Sequence, residues 1–216
     1  MIIKDLKKRI FTSIFLFTMF LLIFKFNLIL VFSLLILGVF SLIEFLNITN
    51  KIIKNKIYFL ISTIFFSIYV FSFCIIFFFF ANIIQLKIIL FSLLFCCIAS
   101  DIGGFIFGKI LKGPKLTSIS PNKTIAGAFG SIIFSIIFFS GSLLAIIKDF
   151  NITFIVIAII TSIACQSGDL FFSYLKRKAK MKDTGKFLPG HGGVLDRLDG
   201  IFLGMPLGFV SFILLY

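Results

Sequence analysis

Charged residues are scarce in this 216-residue chain, which also lacks tryptophan and has a single histidine. Only 13% of its residues are charged, whereas a soluble domain carries about 25%. Hydrophobic residues make up 60% of the chain, and no segment is both long and polar enough to form a separate soluble domain. These shortages exclude an ordinary water-soluble protein and predict a single integral membrane domain over residues 1–216.

Several metal and nucleotide signatures are missing as well. The four cysteines lie within apolar runs without CxxC or Cys/His spacing, so neither a zinc site nor a disulfide framework is supported. We expect them to be small buried hydrophobic side chains. The spacing of a Walker A loop is absent. No internal repeat of about 20–50 residues is visible, which disfavours a transporter built from repeats.

Seven apolar runs predict an all-α, polytopic transmembrane helix bundle. They lie near residues 10–25, 27–47, 57–81, 86–108, 125–147, 152–175 and 200–216, and about 20 residues are enough to cross the hydrocarbon core. The break between the first two runs is weak, so a re-entrant pair is the alternative there. The N-terminal run lacks a small-x-small cleavage site, and we interpret it as an uncleaved first helix.

The distribution of basic residues predicts the orientation. Of the 21 Lys and Arg residues, 18 fall in the segments 1–9, 48–56, 109–124 and 176–199. The positive-inside rule therefore places the N-terminus and these loops in the cytoplasm. The net charge of +13 is spread over short loops and forms no continuous basic face, so we expect no nucleic-acid partner.

Two carboxylates lie inside predicted spans. Asp101 precedes Lys109 by eight residues and Asp169 precedes Lys176 by seven, which puts both about 10–12 Å along their helices from the basic loops. One explanation is an interfacial acid paired with a lysine. The other is a metal or ion site in a shared polar pocket that opens to the cytoplasmic side. The adjacent Gly103, Gly104 and Gly168 would let backbone or a ligand approach closely.

A glycine-rich stretch near the C-terminus concentrates further polar residues. Asp196 and Asp199 are spaced i,i+3 and share one face if helical, with Arg197 between them. They suit either a divalent cation beside a phosphate or the cap of a helix. Pro189, Gly190, Gly192 and Gly193 predict a tight turn with exposed amides that can cradle an anion. His191 could be a proton relay, a metal ligand or a turn residue, and without a second histidine we favour a turn residue or a hydrogen bond to phosphate over a zinc ligand.

A second polar loop precedes the apolar run that starts at residue 125. Ser120, Asn122, Lys123 and Thr124 are the polar residues that lead into it, as before an anion-binding helix N-terminus. Glu44, near the end of the second run, is expected either to pair with a basic loop residue or to buttress the helices.

The segment Ser173 to Asp199, SYLKRKAKMKDTGKFLPGHGGVLDRLD, resembles the signature of the phosphatidate cytidylyltransferase (CDP-diacylglycerol synthase) family. The matching positions are Ser173, Lys176, Arg177, Lys182, Asp183, Gly185, Pro189, His191, Gly192, Gly193, Asp196, Arg197 and Asp199. The stretches SDIGGFIFGK, SPNKT and QSGDL resemble upstream blocks of the same family. The chain departs from the family pattern in three places. Ile125 and Ala126 follow the lysine–threonine pair where the family has an aromatic residue and a glutamate, Gly200 replaces a serine, and Ser100 and Ile102 stand where an alanine and a threonine are common.

The resemblance implies transfer of the cytidylyl group of CTP to phosphatidic acid. Residues 1–85 would be scaffold helices, and residues 86–216 the catalytic helices and cytoplasmic loops. Asp101, Asp169, Asp196 and Asp199 would bind Mg²⁺, with the use of a second cation open, and Lys176, Arg177 and Arg197 would act on phosphate charge. The substrate-binding set would be Ser120, Asn122, Lys123, Thr124, Ser173, Lys182, Asp183, His191, Gly192 and Gly193.

Other functions stay open at this point. A CTP-dependent polyprenol or lipid kinase would use the same nucleotide, and an ion-coupled transporter would use the same intramembrane acids. A structural membrane subunit would leave those acids without a purpose. We expect a multi-pass protein of the bacterial inner membrane in contact with membrane lipid; the choice between a monomer and a homodimer is open.

Overall fold

The computed structural model describes residues 17–148, 150–185, 187 and 192–216. Residues 17–25 are helical, and seven further helices follow. They are α1 (Asn27–Ile52), α2 (Lys56–Ala81), α3 (Ile84–Leu111), α4 (Ile125–Ile147), α5 (Thr153–Lys178), α6 (Leu195–Leu198) and α7 (Ile201–Leu215). The described ranges hold no β-strand, only an isolated antiparallel bridge between Lys115 and Thr124.

Six helical segments within the described residues are long and apolar enough to cross a membrane. They are Asn27–Ile52, Lys56–Ala81, Ile84–Leu111, Ile125–Ile147, Thr153–Lys178 and Leu195–Leu215. The all-α, polytopic membrane class is therefore confirmed, since helices satisfy their own backbone hydrogen bonds in lipid. Of the first predicted run, 10–25, residues 17–25 are helical and residues 10–16 lie outside the described residues. The total of seven spans and the orientation stay predictions.

The chain divides into two compact units, of which the first comprises Met1–Asn82 and Leu175–Leu198. Within it, α1 packs against α2. The rings of Phe45 and Phe66 stack with centroids 3.9 Å apart, and Gly38 lets Val70 approach the α1 backbone. Asn55 caps α2 by accepting a hydrogen bond from the amide of Ile57 at 2.9 Å, which satisfies one of the amides left unpaired at a helix start.

The second unit comprises Ile83–Tyr174 and Asp199–Tyr216, and small residues bring its α3 and α4 together. A Cβ atom on Gly103 would lie 2.5 Å from the Gly130 carbonyl oxygen, and one on Gly104 would lie 2.6 Å from Ser131 Oγ. Close backbone approach of this kind is how helices associate in lipid, where no hydrophobic effect drives them together. The glycines beside Asp101 therefore serve backbone contact, one of the two expectations for them.

A glycine face on α7 allows the same close packing against α5 and α3. A Cβ on Gly200 would lie 2.6 Å from Cys165 Sγ, and one on Gly204 would lie 3.0 Å from Cys97 Sγ. Cys96, Cys97 and Cys165 are buried and Cys74 is partly buried. The cysteines are thus small buried packing residues, as expected from their apolar surroundings.

Replacing Gly103 with alanine should destabilise the α3–α4 contact by about 1–3 kcal/mol, because the methyl group has no space against the α4 backbone. Gly141 on α4 is the matched control, since a Cβ there meets nothing within 4 Å. Thermal unfolding in detergent should show a lower Tm for Gly103→Ala and an unchanged or higher Tm for Gly141→Ala. Equal Tm values for the two variants would contradict this packing.

Candidate active site

The loop between α3 and α4 folds back on itself and ends at a helix start. The amide of Leu116 donates to the carbonyl of Lys123 at 2.8 Å, and the amide of Lys123 donates to the carbonyl of Ser120 at 3.0 Å. Pro121 and Asn122 occupy the central positions of this turn, where their residue types are favoured. The turn fixes the backbone of Lys123 immediately before α4.

Thr124 is the N-cap of α4. Its Oγ1 accepts a hydrogen bond from the amide of Gly127 at 3.1 Å, the usual role of a threonine at this position. The predicted helix N-terminus behind the polar loop is confirmed. Of the residues proposed there, Ser120 and Thr124 are partly buried, whereas the side chain of Asn122 is exposed.

Lys123 forms a salt bridge with Asp169 of α5. The other oxygen of Asp169, Oδ1, accepts a hydrogen bond from Ser173 Oγ at 3.2 Å. The Lys123 and Asp169 side chains are 26% and 28% exposed, so the pair is partly exposed at the protein surface. Three residues from separate predicted motifs, Lys123, Asp169 and Ser173, therefore form one charged cluster, which we call the Asp169 cluster.

Two further aspartates approach the same stretch of α5. Cys165 Sγ, one turn before Asp169, lies 4.0 Å from Asp101 Oδ1 on α3. A Cβ on Gly168 would lie 2.5 Å from the carbonyl oxygen of Asp199, and Asp199 Oδ1 accepts from the amide of Gly200 at 2.9 Å. Asp101 and Asp199 thus contact the turn of α5 that leads to the Asp169 cluster.

A chain of uncharged polar groups continues from this cluster along α5, within the second unit. Gln166 Nε2 donates to the Ala128 carbonyl at 3.4 Å and to Ser162 Oγ at 3.3 Å, and Ser162 Oγ lies 2.9 Å from Ser100 Oγ. These bonds satisfy polar groups that lipid cannot. They also join α5 to α4 one turn below Asp169, which helps fix the cluster in place.

Asp196, in the first unit, has both carboxylate oxygens engaged. Oδ1 accepts from Lys176 Nζ at 2.7 Å, and Oδ2 accepts from the amides of Thr184 at 2.8 Å and Gly193 at 3.0 Å. These bonds tie the end of α5 and two loop positions to α6. Oδ1 keeps one further acceptor site, since each carboxylate oxygen can accept two bonds, and the proposed metal role of Asp196 stays a prediction.

The contacts of Glu44 on α1 were the hardest to predict from the sequence. It is 4% exposed and accepts hydrogen bonds from Thr184 Oγ1 at 2.6 Å, the Val194 amide at 3.0 Å and the Leu195 amide at 2.8 Å. Among the described residues its partners are one hydroxyl and two backbone amides of the segment 184–195, and the two expectations for Glu44 stay predictions. The sequence feature that pointed to Glu44 is its position as an isolated acid within an apolar run.

The remaining proposed residues divide by exposure. The side chains of Arg177, Lys182, Asp183 and Arg197 are exposed. Gly192 has a φ of +83°, a conformation that favours glycine, and Gly193 is buried. His191 lies outside the described residues.

Carboxylate oxygens are the type of ligand that magnesium takes, and the magnesium role of these aspartates stays a prediction. Among the residues that the structure describes, no three His, Cys, Asp or Glu side chains surround one point. Mg²⁺ is usually bound by one or two carboxylates, with water and substrate phosphates as its other ligands. Asp169 with Asp101 or Asp199 supplies hard oxygen donors of that kind.

Comparison with known proteins agrees with the motif resemblance. The profile of the cytidylyltransferase family matches residues 3–215. A phosphatidate cytidylyltransferase of Helicobacter pylori is 41% identical over 121 residues, covering 52% of this chain and 42% of the relative. One from Staphylococcus saprophyticus is 44% identical over 112 residues, covering 50% and 42%.

A third relative, the phosphatidate cytidylyltransferase of Rickettsia felis, is 41% identical over 140 residues, covering 58% of this chain and 59% of the relative. The matched region thus spans about half the length of these curated relatives. The family profile, in contrast, extends over nearly the whole chain, including the helices that hold Glu44 and the Asp169 cluster. The chain therefore belongs to the cytidylyltransferase family.

Proposed function

We propose that this chain transfers the cytidylyl group of CTP to phosphatidic acid, giving CDP-diacylglycerol and pyrophosphate. The observation that carries the proposal is the Asp169 cluster, in which Lys123 and Ser173 meet an accessible carboxylate at a membrane helix. Family membership supports it, as do relatives named phosphatidate cytidylyltransferase.

The chemistry needs charge neutralisation more than base catalysis. A phosphate oxygen of phosphatidic acid attacks the α-phosphorus of CTP, and the bond from that phosphorus to the β-phosphate bridge oxygen breaks. The nucleophile is already ionised at neutral pH, so no side chain has to remove a proton. The site must bring two polyanions together and stabilise charge on the leaving pyrophosphate.

Lys123 is suited to binding phosphate groups, because its side chain is partly exposed and its backbone is fixed by the preceding turn. Asp169 orients that ammonium group, and Ser173 orients Asp169. We assign Arg177 and Lys182, both exposed, to contacts with phosphate groups. Arg197 and His191 keep their predicted substrate roles, and Lys176 acts through Asp196.

We propose Mg²⁺ as the cofactor, held by Asp169 with Asp101 or Asp199. When bound, it would neutralise the triphosphate and polarise the reacting phosphorus–oxygen bonds. Ser120 and Thr124, at the start of α4, would then face the nucleotide, where helix amides favour anions.

Location follows from the helices and the charges. The six apolar helices indicate an integral, multi-pass membrane protein. We propose that it lies in a bacterial inner membrane with the loops before α4 and after α5 in the cytoplasm, where CTP is found; 18 of its 21 Lys and Arg residues support that orientation.

The purified chain in detergent, given phosphatidic acid, Mg²⁺ and CTP labelled at the α-phosphate, should transfer the label to lipid and release pyrophosphate. CTP labelled at the γ-phosphate should leave the lipid unlabelled. Label transfer from the γ-phosphate with release of CDP would instead identify a lipid kinase. Ion flux in proteoliposomes without CTP would identify a transporter.

Replacing Lys123 with alanine should lower kcat/KM for CTP about 100-fold, because a positioned donor to phosphate charge is lost. Lys115→Ala is the matched control, since this exposed lysine lies in the same loop and joins Thr124 through its backbone alone. Steady-state rates of lipid labelling measure both variants. Equal losses in the two would contradict a specific role for Lys123.

Replacing Asp169 with asparagine should also lower kcat about 100-fold, since the neutral amide no longer orients Lys123 or binds a divalent cation. Dialysis of the unmodified chain against EDTA should abolish lipid labelling, and added Mg²⁺ should restore it. Full activity after chelation would contradict the magnesium assignment, and full activity of Asp169→Asn would contradict the cluster.

A further inference from the structure

Two carboxylates hold together the loop positions that flank residues 188–191. On one side lies Thr184, and on the other lie Gly193, Val194 and Leu195; we call these four residues the loop ends. Asp196 accepts from the amides of Thr184 and Gly193. Glu44 accepts from the hydroxyl of Thr184 and from the amides of Val194 and Leu195.

Thr184 is the residue that both carboxylates share. Its amide donates to Asp196 at 2.8 Å and its hydroxyl donates to Glu44 at 2.6 Å. The side chain is buried, with an exposed fraction of 2%. One residue therefore links Asp196, within the signature segment, to Glu44, which comes from the N-terminal part of the chain.

The loop ends are shaped around the Glu44 carboxylate. A Cβ atom on Gly193 would collide with Glu44 Oε2, and one on Gly185 would collide with Glu44 Oε1. One turn before Glu44, the ring of Phe40 packs on that of Phe187 with centroids 3.8 Å apart. The loop ends and Phe187 thus contact the same helix, α1, through hydrogen bonds to a carboxylate, close backbone approach and ring packing.

A carboxylate buried on a membrane helix is costly and is retained only when a function or a network requires it. Among the residues that the structure describes, the three donors to Glu44 all belong to the loop ends, so these bonds act directly on that segment. The segment that it holds contains Gly192 and Gly193 of the proposed substrate-binding residues, together with Asp196 next to its end.

We propose that Glu44 is a positioning residue for the cytidylyl transfer proposed above, on which this inference rests. It acts through Thr184, Val194 and Leu195, which it holds so that Asp196, Gly193 and their neighbours keep their geometry. Helix α1 is therefore part of the functional apparatus as well as a membrane scaffold.

The test compares Glu44→Ala and Glu44→Gln with Thr49→Ala. Thr49 lies on the same helix and is 3% exposed, but its hydroxyl donates only to carbonyls of its own helix, Phe45 and Leu46. Glutamine keeps the volume and one acceptor, which guards against simple unfolding of the alanine variant. Each variant is purified as the full chain and checked for an intact elution profile in detergent.

Activity provides the first readout. We expect Glu44→Ala to lower kcat/KM for CTP about 10- to 100-fold, as misplacement by about 1 Å does, with Glu44→Gln intermediate and Thr49→Ala unchanged. Thr184→Ser should keep most of the activity because it retains the hydroxyl, whereas Thr184→Val should lose it. Rescue by serine separates the hydrogen bond from packing volume.

Hydrogen–deuterium exchange provides a readout independent of activity. Peptides that contain Val194 and Leu195 should exchange faster in Glu44→Ala than in the unmodified chain, because their amides lose their acceptor. Thr49→Ala should leave that exchange unchanged. Unchanged exchange in both Glu44 variants would overturn the holding role.

The two readouts separate failure of this inference from failure of the proposed function. If the unmodified chain makes no CDP-diacylglycerol, the proposed function fails, and the positioning role fails with it even where exchange shows the contact. If the unmodified chain is active and the Glu44 variants keep full activity, only the positioning role is overturned. Faster exchange together with lower activity supports both.

Discussion

The cost of placing carboxylates beside apolar helices governs the organisation of this chain. An ionised acid near lipid must be solvated by the protein, because lipid offers no hydrogen bonds. Asp169 meets this demand with Lys123 and Ser173, Asp196 with Lys176 and two backbone amides, and Glu44 with a hydroxyl and two amides. The hydrogen bonds and ion pairs that solvate each carboxylate also fix the loop or helix end that supplies the donors. The same bonds therefore solvate the acids and set the geometry of the site.

Close backbone packing makes this arrangement compatible with a membrane. Gly103 and Gly130 bring α3 against α4, and Gly200 and Gly204 bring α7 against α5. Because these helices approach so closely, polar groups such as Gln166 and Ser162 find partners on neighbouring helices or within their own. The close packing at small residues and the hydrogen bonds between polar side chains therefore depend on each other.

Much of the fold and part of the candidate site could be predicted from the sequence. Apolar run lengths predicted the helices, and the class of fold follows from them. The polar loop before residue 125 pointed to a helix N-terminus, and the acids at depth pointed to Asp169, since an isolated charge in an apolar run needs a compensating partner. The partner itself could not be predicted from the pattern: Lys176, seven positions on, is the nearest lysine in sequence, whereas the structure pairs Asp169 with Lys123, 46 positions away. Tertiary packing decides that choice. Glu44 shows the same limit, because its donors are mostly backbone amides, which every residue except proline has and which no motif can mark.

Gly185 and Gly193 fit around the Glu44 carboxylate, so the residues at these three positions constrain one another in evolution. Neither glycine can gain a side chain while a glutamate occupies that space. If α1 carried a small residue instead, both positions would be released from this steric requirement. The residues at positions 44, 185 and 193 should therefore covary among relatives: a change at one position should be accompanied by changes at the others.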